Sequence, residues 1–277
     1  MESALVLGAG GITGIAWHLG VLAGLRDAGV DLTGADLVVG TSAGSITGTL
    51  VAAGIDLAEA QRIEARMGDA DPPIRPDWER GTAAFAALTD TTMEAPAIRR
   101  TVGRLALEAD VVAEEPYIGS LTRRLPLHEW PARPLLITAV EASSGDPAVW
   151  DRGSGVPLDR AVAASCAVPA IFPPVTVDGR RYMDGGVRSG TNADLAAECA
   201  RIVVLAPLAP VRMHGAPAAE IEALRERSKV ALVAPDEATL AALGPNVFDT
   251  GRWAAAIDAG VAQGSRLAPE VAAVWHS

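Results

Sequence analysis

A glycine-flanked serine follows an apolar run near the start of the chain, and this arrangement predicts a sharp turn from a strand into a helix. Ser42 is the centre of Gly40–Gly44, a G-x-S-x-G pentapeptide that comes directly after Leu37–Val39. A nucleophilic serine projects from such a turn in strained backbone, and small residues two positions before and after it give the turn room. The pentapeptide alone is also compatible with an ordinary strand–helix turn. We predict that Ser42 is the nucleophile, supported by Gly40 and Gly44.

A second glycine-rich segment lies at the start of the chain, between a predicted strand and a predicted helix. Residues Ala4–Leu7 are apolar, Gly8–Gly14 is rich in glycine, and apolar residues recur at helical spacing over 15–22. A glycine-rich loop in this position exposes backbone N–H groups at a helix N-terminus, where anions bind. The anion is either the pyrophosphate of a dinucleotide or the oxyanion of an acyl-transfer intermediate.

The spacing of these glycines favours the oxyanion. The dinucleotide fingerprint G-x-G-x-x-G/A would place its third small residue at Thr13, and Gly14 comes one position late. Asp31 and Asp36 lie about where a ribose-binding acid is expected, so a Rossmann-type nucleotide-binding protein stays open as an alternative. We expect backbone amides of the loop to form an oxyanion hole. The expected donors are the amides of Gly10, Gly11 and Ile12, and Gly8 supports the loop.

A predicted β-hairpin delivers a candidate general base. Val175–Val177 and Arg180–Met183 flank an Asp-Gly pair, which is typical of a two-residue hairpin turn. The second arm runs into Asp184, with Gly185 and Gly186 in support. A serine hydroxyl needs a base to take its proton before it attacks an ester. Asp-Gly-Gly is also ordinary turn chemistry, so this assignment depends on the two upstream motifs.

In chain order these motifs resemble those of the patatin-like phospholipases and acyl hydrolases. The matching blocks are Gly8–Gly14, Gly40–Gly44 and Asp184–Gly186, with a softer match at Ala164–Pro174. They lie between residues 5 and 186, about two-thirds of the chain. The resemblance implies a lipid acyl hydrolase that works through a serine–aspartate dyad. Thr13 departs from the family, which usually has Arg or Lys there, and this removes a positive charge near the expected oxyanion hole.

Four histidines compete with the aspartate for the role of base. His18 lies in the first predicted helix, His128 in the central segment and His276 next to the C-terminal residue. His214 is the serious rival, because the order serine, aspartate, histidine matches that of α/β-hydrolases. His214 lies in a proline-rich loop, however, and the α/β-hydrolase elbow normally has more strands before it. These points, together with the resemblance, favour a dyad over a triad.

Strand patterns alternate with helical patterns along the chain, which predicts an α/β fold with a mostly parallel sheet. We expect one domain over residues 1–277, a three-layer α/β/α sandwich. Residues 68–134 break the alternation and contain Trp78, Phe85 and Trp130. This segment is either a helical cap inserted over the site or part of the helical layer. The remaining predicted elements are helices at 43–53 and 57–67, strands at 135–140, 201–206 and 230–234, and a helical tail from 252 onward.

Composition limits the partners. The net charge of −11 disfavours nucleic acid and anionic membrane surfaces. No apolar run reaches the length of a bilayer span, and Glu2 without a basic flank argues against a secretory signal, so we expect a cytoplasmic protein. Cys166 and Cys199 lack metal or disulfide spacing and are interpreted as buried small apolar residues.

The expected partner is a lipid or another ester, and we expect transient contact with a membrane surface. We expect no cofactor and no metal, and the oligomeric state stays open. No metal-binding motif of the H-E-x-x-H or EF-hand kind is present in the sequence. A second alternative function is a catalytically silent lipid-binding protein of the same fold, which the departure at Thr13 motivates. The intact Ser42 and Asp184 argue against it.

Overall fold

A mostly parallel β-sheet forms the centre of the protein. The computed structural model describes residues 1–65, 75–123, 125–211 and 214–277. The strands are β1 Ser3–Leu7, β2 Leu37–Gly40, β3 Leu135–Glu141, β4 Pro147–Trp150, β5 Val175–Val177, β6 Arg180–Asp184, β7 Arg201–Leu205 and β8 Lys229–Val233. Their order across the sheet is β5-β6-β3-β2-β1-β7-β8, and β4 also pairs with β3.

Helices cover both faces of this sheet. Their bounds are α1 Gly11–Asp27, α2 Ala43–Ala52, α3 Leu57–Ala65, α4 Trp78–Thr89, α5 Ala95–Glu108, α6 Glu114–Thr122, α7 Leu158–Ser165, α8 Ala218–Arg225, α9 Glu237–Leu243 and α10 Trp253–Trp275. Successive residues of β1 point to opposite faces, as the pleat requires. Leu5 and Leu7 pack with α1, α2, α7 and α10 on one face, while Ala4 and Val6 pack with α8 on the other. The predicted three-layer α/β/α architecture is confirmed.

The strand register brings the ends of three segments together. β1 lies between β2 and β7 and is parallel to both, and Leu7 is level with Gly40 and with Leu205. The carboxyl ends of β1 and β2 therefore meet at one edge of the sheet, where sites of parallel α/β proteins form. β6 is antiparallel to β3 and pairs Asp184 with Ala139, two residues beyond the partner of Gly40. The predicted hairpin thus ends beside the turn after β2.

The predicted strands of the sheet agree with the structure to within one residue at each end, as does the start of the C-terminal helix. The hairpin turn has positive φ at both Asp178 and Gly179, as a type I′ turn requires. The predicted helix 57–67 is described as far as Ala65, and its last two residues lie outside the described residues. The structure adds β4, α7, α8 and α9, which are elements of four to eight residues without a strong local signal.

The segment 68–134 contains α4, α5 and α6, while residues 68–74 and Arg124 lie outside the described residues. Side chains of α4 and α5 pack with Val140 of β3 and Met183 of β6. The Tyr117 hydroxyl of α6 donates a hydrogen bond to the carbonyl of Ala163 in α7, at 3.0 Å. These three helices therefore contact the main domain directly. A gating role for the segment stays a prediction.

The long helix α10 lies along α1 on one face of the sheet. The indole nitrogen of Trp17 donates to the side-chain oxygen of Gln263 at 2.8 Å, and Gln263 also donates to the carbonyl of Ala234 at 2.7 Å. Both Trp17 and Gln263 are buried. Since buried polar groups must be hydrogen-bonded, this carboxamide stabilises the contact between α1 and α10.

Candidate active site

Ser42 occupies a strained turn between β2 and α2. Its φ is 54° and its ψ is −120°, a conformation that a non-glycine residue rarely adopts. The glycines on either side are required by close contacts: a Cβ on Gly44 would lie 1.9 Å from the carbonyl oxygen of Leu7, and one on Gly40 would lie 2.6 Å from that of Gly44. The G-x-S-x-G pattern is therefore explained by the backbone packing of β1, β2 and α2.

Hydrogen bonds from three directions hold this turn. The amide of Ser42 donates to the hydroxyl of Ser165 at 2.9 Å, and the carbonyl of Ser42 accepts from the hydroxyl of Ser45 at 2.7 Å. The Cys166 thiol also donates to this carbonyl, at 3.3 Å. These hydrogen bonds hold the backbone of Ser42 in place, and such support is what allows a strained conformation to persist.

Asp184 lies buried at the end of β6. Its amide donates to the carbonyl of Ala167 at 3.0 Å, and its Oδ1 accepts from the amide of Gly186 at 2.7 Å. Its Oδ2 is buried and has no hydrogen-bond partner among the described residues. Desolvation raises the pKa of Asp184 to about 7, against the opposing influence of the Ser42 hydroxyl and the Gly186 amide. The structure therefore brings Ser42 and Asp184 close enough to interact, although the hydroxyl does not make a well-formed bond to Oδ2.

The two glycines after Asp184 pack the turn against its neighbours. A Cβ on Gly185 would lie 2.2 Å from the Thr138 hydroxyl, and one on Gly186 would lie 3.4 Å from the Cβ of Ala9. Gly185 thus lets the turn approach β3, and Gly186 lies beside the glycine loop after β1. The three predicted motifs consequently meet at one end of the sheet.

The glycine loop leaves a cluster of amides without acceptors. Gly8 donates to the carbonyl of Leu205 at 2.9 Å, Ala9 to that of Gly190 at 2.8 Å and Thr13 to that of Val247 at 3.1 Å. Between these paired positions, the amides of Gly10, Gly11 and Ile12 have no acceptor within the described parts of the chain. They lie at the N-terminus of α1, where the helix dipole favours negative charge. These are the three donors that the sequence predicts for an oxyanion.

A buried carboxamide that the sequence analysis missed joins the turn Gly40–Gly44, here called the elbow, to the turn after Asp184. The Nδ2 of Asn192 donates to the Thr41 hydroxyl at 3.0 Å and to the carbonyl of Gly185 at 3.3 Å, and its Oδ1 accepts from Arg188 at 2.6 Å. Asn192 is buried and has left-handed backbone. Thr41 precedes Ser42, and Gly185 follows Asp184, so one side chain contacts the neighbours of both. The only local signal was a Thr-Asn pair in a loop.

The hydrogen bonds that the described structure gives His18 and His214 go to partners other than Ser42 and Asp184. The Nε2 of His214 lies 2.8 Å from the carbonyl oxygen of Asp90, and no hydrogen bond joins His214 to Ser42 or Asp184 in the described residues. His18 is buried under α2, where desolvation lowers its pKa to about 3 and keeps the ring neutral. His128 and His276 are exposed. Asp184, in contrast, is buried and its pKa is influenced by the Ser42 hydroxyl.

The acids of the dinucleotide alternative lie elsewhere. The Asp36 carboxylate accepts from the amides of Glu2 and Ser3 at 2.9 and 3.0 Å, at the amino end of β1 and opposite the glycine loop. The Asp31 carboxylate accepts from the amide of Thr33 at 2.9 Å. Neither carboxylate lies at the loop to bind a ribose.

Thr13 is buried in α1 and contributes no charge beside the loop. Neither cysteine is in a disulfide within the described residues, and Cys199 is buried as expected. Cys166 is half-buried and contacts the backbone of Ser42, so the interpretation of a buried apolar residue was wrong there.

The described residues contain no cluster of three or more side chains suited to a metal ion. No helix in the described ranges combines the length and the apolar character that a membrane crossing needs. The cytoplasmic location stays a prediction.

Comparison with known proteins identifies the family. The model of the patatin-like phospholipase family matches residues 5–197. An uncharacterised NTE family protein of Mycobacterium tuberculosis is 32% identical over 207 residues, which cover 69% of this chain and 47% of the relative. A second NTE family protein of that organism is 28% identical over 192 residues, covering 69% of this chain and 27% of the relative. This chain belongs to the patatin-like phospholipase family, and it spans about half the length of the first of these relatives.

Two solved structures also align with the chain. VipD from Legionella pneumophila gives a TM-score of 0.48 at 13% identity, over 97% of this chain and 67% of VipD. The type III effector protein ExoU gives a TM-score of 0.46 at 17% identity, over 98% of this chain and 53% of ExoU.

Proposed function

We propose that this protein is a serine acyl hydrolase that cleaves carboxylic ester bonds of lipids. The observation that carries the proposal is a strained, glycine-flanked Ser42 beside the buried carboxyl of Asp184. On the adjacent loop, three amides have no acceptor among the described residues. Membership of the patatin-like phospholipase family supports a lipid ester as the substrate.

In the proposed reaction, the Asp184 carboxylate accepts the proton of the Ser42 hydroxyl as its oxygen attacks the ester carbonyl. The negative charge that develops on the carbonyl oxygen is stabilised by the amides of Gly10, Gly11 and Ile12. Asp184 then returns its proton to the leaving alcohol, which leaves the acyl group on Ser42. In the second half, Asp184 takes a proton from water, the hydroxide attacks the acyl-enzyme, and the proton returns to Ser42 as the acid is released.

The surroundings of Asp184 suit this exchange. An aspartate in water has a pKa of about 4 and is a poor proton acceptor at neutral pH. Burial raises the pKa of Asp184 to about 7, close to the working pH at which a general base is most effective. The unfilled hydrogen-bonding capacity of Oδ2 leaves a position for the serine or water proton.

Helix α4, within the segment predicted to gate the site, supplies the proposed contact with a lipid surface. Trp78 and Phe85 are the most exposed large aromatic side chains of the described residues, at 70% and 54%. They are seven residues apart on α4 and therefore on one face of that helix. The residue before α4, Asp77, donates its amide to the carbonyl of Ala170, in the block that follows Ser165. We infer that this helix contacts neutral or zwitterionic lipid next to the site and gates access to it.

A fluorophosphonate probe tests the proposed function directly, because it phosphonylates only an activated serine. We expect one label per chain on the parent protein and none on Ser42→Ala. Ser143→Ala, which changes an exposed serine that bonds Glu141, is the matched control and should label like the parent. Absence of label on the folded parent would favour the alternative of a catalytically silent lipid-binding protein.

A further inference from the structure

The segment 244–250 contacts the glycine loop through Val247, although this segment lies outside the residues that match the family model. The carbonyl of Val247 accepts the Thr13 amide at 3.1 Å. A Cβ on Gly11 would lie 2.7 Å from that carbonyl oxygen and 2.8 Å from Cγ2 of Val247. Gly11 has a φ of +61°, so a side chain is disfavoured there by backbone conformation as well as by space.

This contact divides the amides at the start of α1 into two groups. Thr13 is engaged by Val247, while Gly10, Gly11 and Ile12 keep free N–H groups in the described structure. A substrate oxygen held by the free amides would therefore lie on the loop that Val247 contacts, and Phe248 follows Val247 in the chain.

Phe248 reaches across to the other side of the elbow. Its ring meets that of Phe172 edge to face, with centroids 5.8 Å apart and planes at 82°. Phe172 in turn stacks on Tyr117, with centroids 4.9 Å apart. Phe172 belongs to the block after Ser165, whose hydroxyl holds the amide of Ser42.

The contact between these two rings joins the segment 244–250 to the block that follows Ser165. Both the glycine loop and this block contact the elbow. On one side, Gly14 of the glycine loop comes close to Ala43, the residue after Ser42. On the other side, Ser165 and Cys166 contact the backbone of Ser42. Phe172 and Phe248 are both partly exposed and make up two of the three phenylalanines in the chain.

We propose that Phe248 and Phe172 form the apolar wall that binds the acyl chain of the ester, so that the segment 244–250 sets acyl-chain selectivity. The inference rests on the proposed function. An acyl chain is bonded to the same carbon as the oxygen that the free amides would hold, so its first methylenes must pass beside the loop. Aromatic rings offer large apolar contact area with little conformational freedom to lose, which suits an unbranched hydrocarbon.

The test compares two esters with one leaving group, p-nitrophenyl acetate and p-nitrophenyl octanoate, on the parent, Phe248→Ala and Phe248→Leu. We expect Phe248→Ala to lose about tenfold in kcat/KM on octanoate, since single methylenes in apolar pockets change selectivity by that order. Acetate turnover and fluorophosphonate labelling should change little, and Phe248→Leu should recover part of the loss on octanoate. Leu240→Ala, which shortens an exposed apolar side chain on the neighbouring helix α9, is the control and should keep the parent's selectivity.

The outcomes separate the two proposals. Equal losses on both esters would assign Phe248 a purely structural role, and unchanged selectivity would place the acyl chain elsewhere, so either result overturns the inference. A parent protein that neither hydrolyses the esters nor reacts with the fluorophosphonate would instead contradict the proposed function itself.

Discussion

The amide nitrogen of Ser42 donates a hydrogen bond to the hydroxyl oxygen of Ser165, 2.9 Å away, and so joins the elbow after β2 to the end of α7. Both residues are buried, so no solvent replaces this bond if it is lost. The bond fixes the amide of the residue whose side chain must aim at a substrate. Ser165 therefore has a positioning role in the proposed chemistry.

Removing the Ser165 hydroxyl should lower activity beyond its effect on stability. Ser165→Ala leaves a buried N–H unpaired, which costs about 1–3 kcal/mol of unfolding free energy. Relaxation of the strained Ser42 backbone should also lower kcat on p-nitrophenyl butyrate about tenfold, by misplacing the hydroxyl. Ser120→Ala is the control, because Ser120 is likewise buried and its hydroxyl donates to the carbonyl of Tyr117 in its own helix. If both variants kept the parent's kcat per folded molecule, Ser165 would be structural only.

Asp184→Asn should abolish most of the activity, because an amide cannot accept the serine proton. We expect a loss of at least about a hundredfold in kcat/KM, as is usual for a missing general base. In the parent, kcat/KM should rise with pH and reach half its plateau near pH 7, since burial raises the pKa of Asp184 to about 7. His214→Ala, which removes a ring bonded to Asp90, should have a mild effect. A large loss in His214→Ala together with a small loss in Asp184→Asn would indicate a triad.

The same variant should change how stability depends on pH. The folded pKa of Asp184 lies above the unfolded value of about 4, so between about pH 4 and pH 7 the folded state binds more protons than the unfolded state. This group therefore makes the free energy of unfolding fall as pH rises through that window. Asn cannot ionise, so the stability of Asp184→Asn relative to the parent should increase from pH 5 to pH 8. Thermal unfolding at both pH values measures the difference, and a constant difference would show that Asp184 is already ionised at pH 5.

The local features of the site were predictable, and the long-range ones were not. The elbow, the glycine loop and the hairpin each depend on a few consecutive residues whose steric demands show in the sequence, such as the glycines on either side of Ser42. Asn192 is 151 residues from Thr41 along the chain, and only the completed sheet brings them together. The contact of Val247 with the glycine loop has the same character: the loop is marked by its glycines, but nothing in the local sequence marks Val247 as its partner.

The buried carboxamide of Asn192 should prove necessary for activity. Asn192→Ala leaves the Arg188 guanidinium and the Thr41 hydroxyl without this partner, at a cost of about 1–3 kcal/mol in stability. It also frees the residues next to Ser42 and Asp184, so kcat should fall about tenfold or more. Gln263→Ala removes another buried carboxamide, one that bonds Trp17, and should reduce the melting temperature but spare kcat. Equal kcat losses in the two variants would indicate a general effect of destabilisation.

The charge of the protein should decide which lipid surfaces it can use. The net charge is −11, and Thr13 is buried and uncharged where the family usually has a basic residue. The aromatic residues on α4 are flanked by Arg80, but its guanidinium is paired with Asp77 at 2.8 Å and offers little attraction to a headgroup. Approach to an anionic vesicle is therefore opposed by a repulsion that salt screens within about 10 Å at 0.1 M.

We accordingly expect hydrolysis of phosphatidylglycerol vesicles to be slow at low salt and to become faster as salt is added. Hydrolysis of phosphatidylcholine vesicles at low salt should be faster than either. Fatty-acid release from vesicles of equal size measures the three rates. A soluble short-chain ester should show little salt dependence, because it carries no charge and needs no surface. Trp78→Ala should slow hydrolysis of phosphatidylcholine vesicles but not of the soluble ester, since the exposed indole is the proposed surface contact. Faster turnover on the anionic vesicles at low salt would mean that a local basic patch outweighs the net charge, and the proposed preference for neutral surfaces would then be wrong.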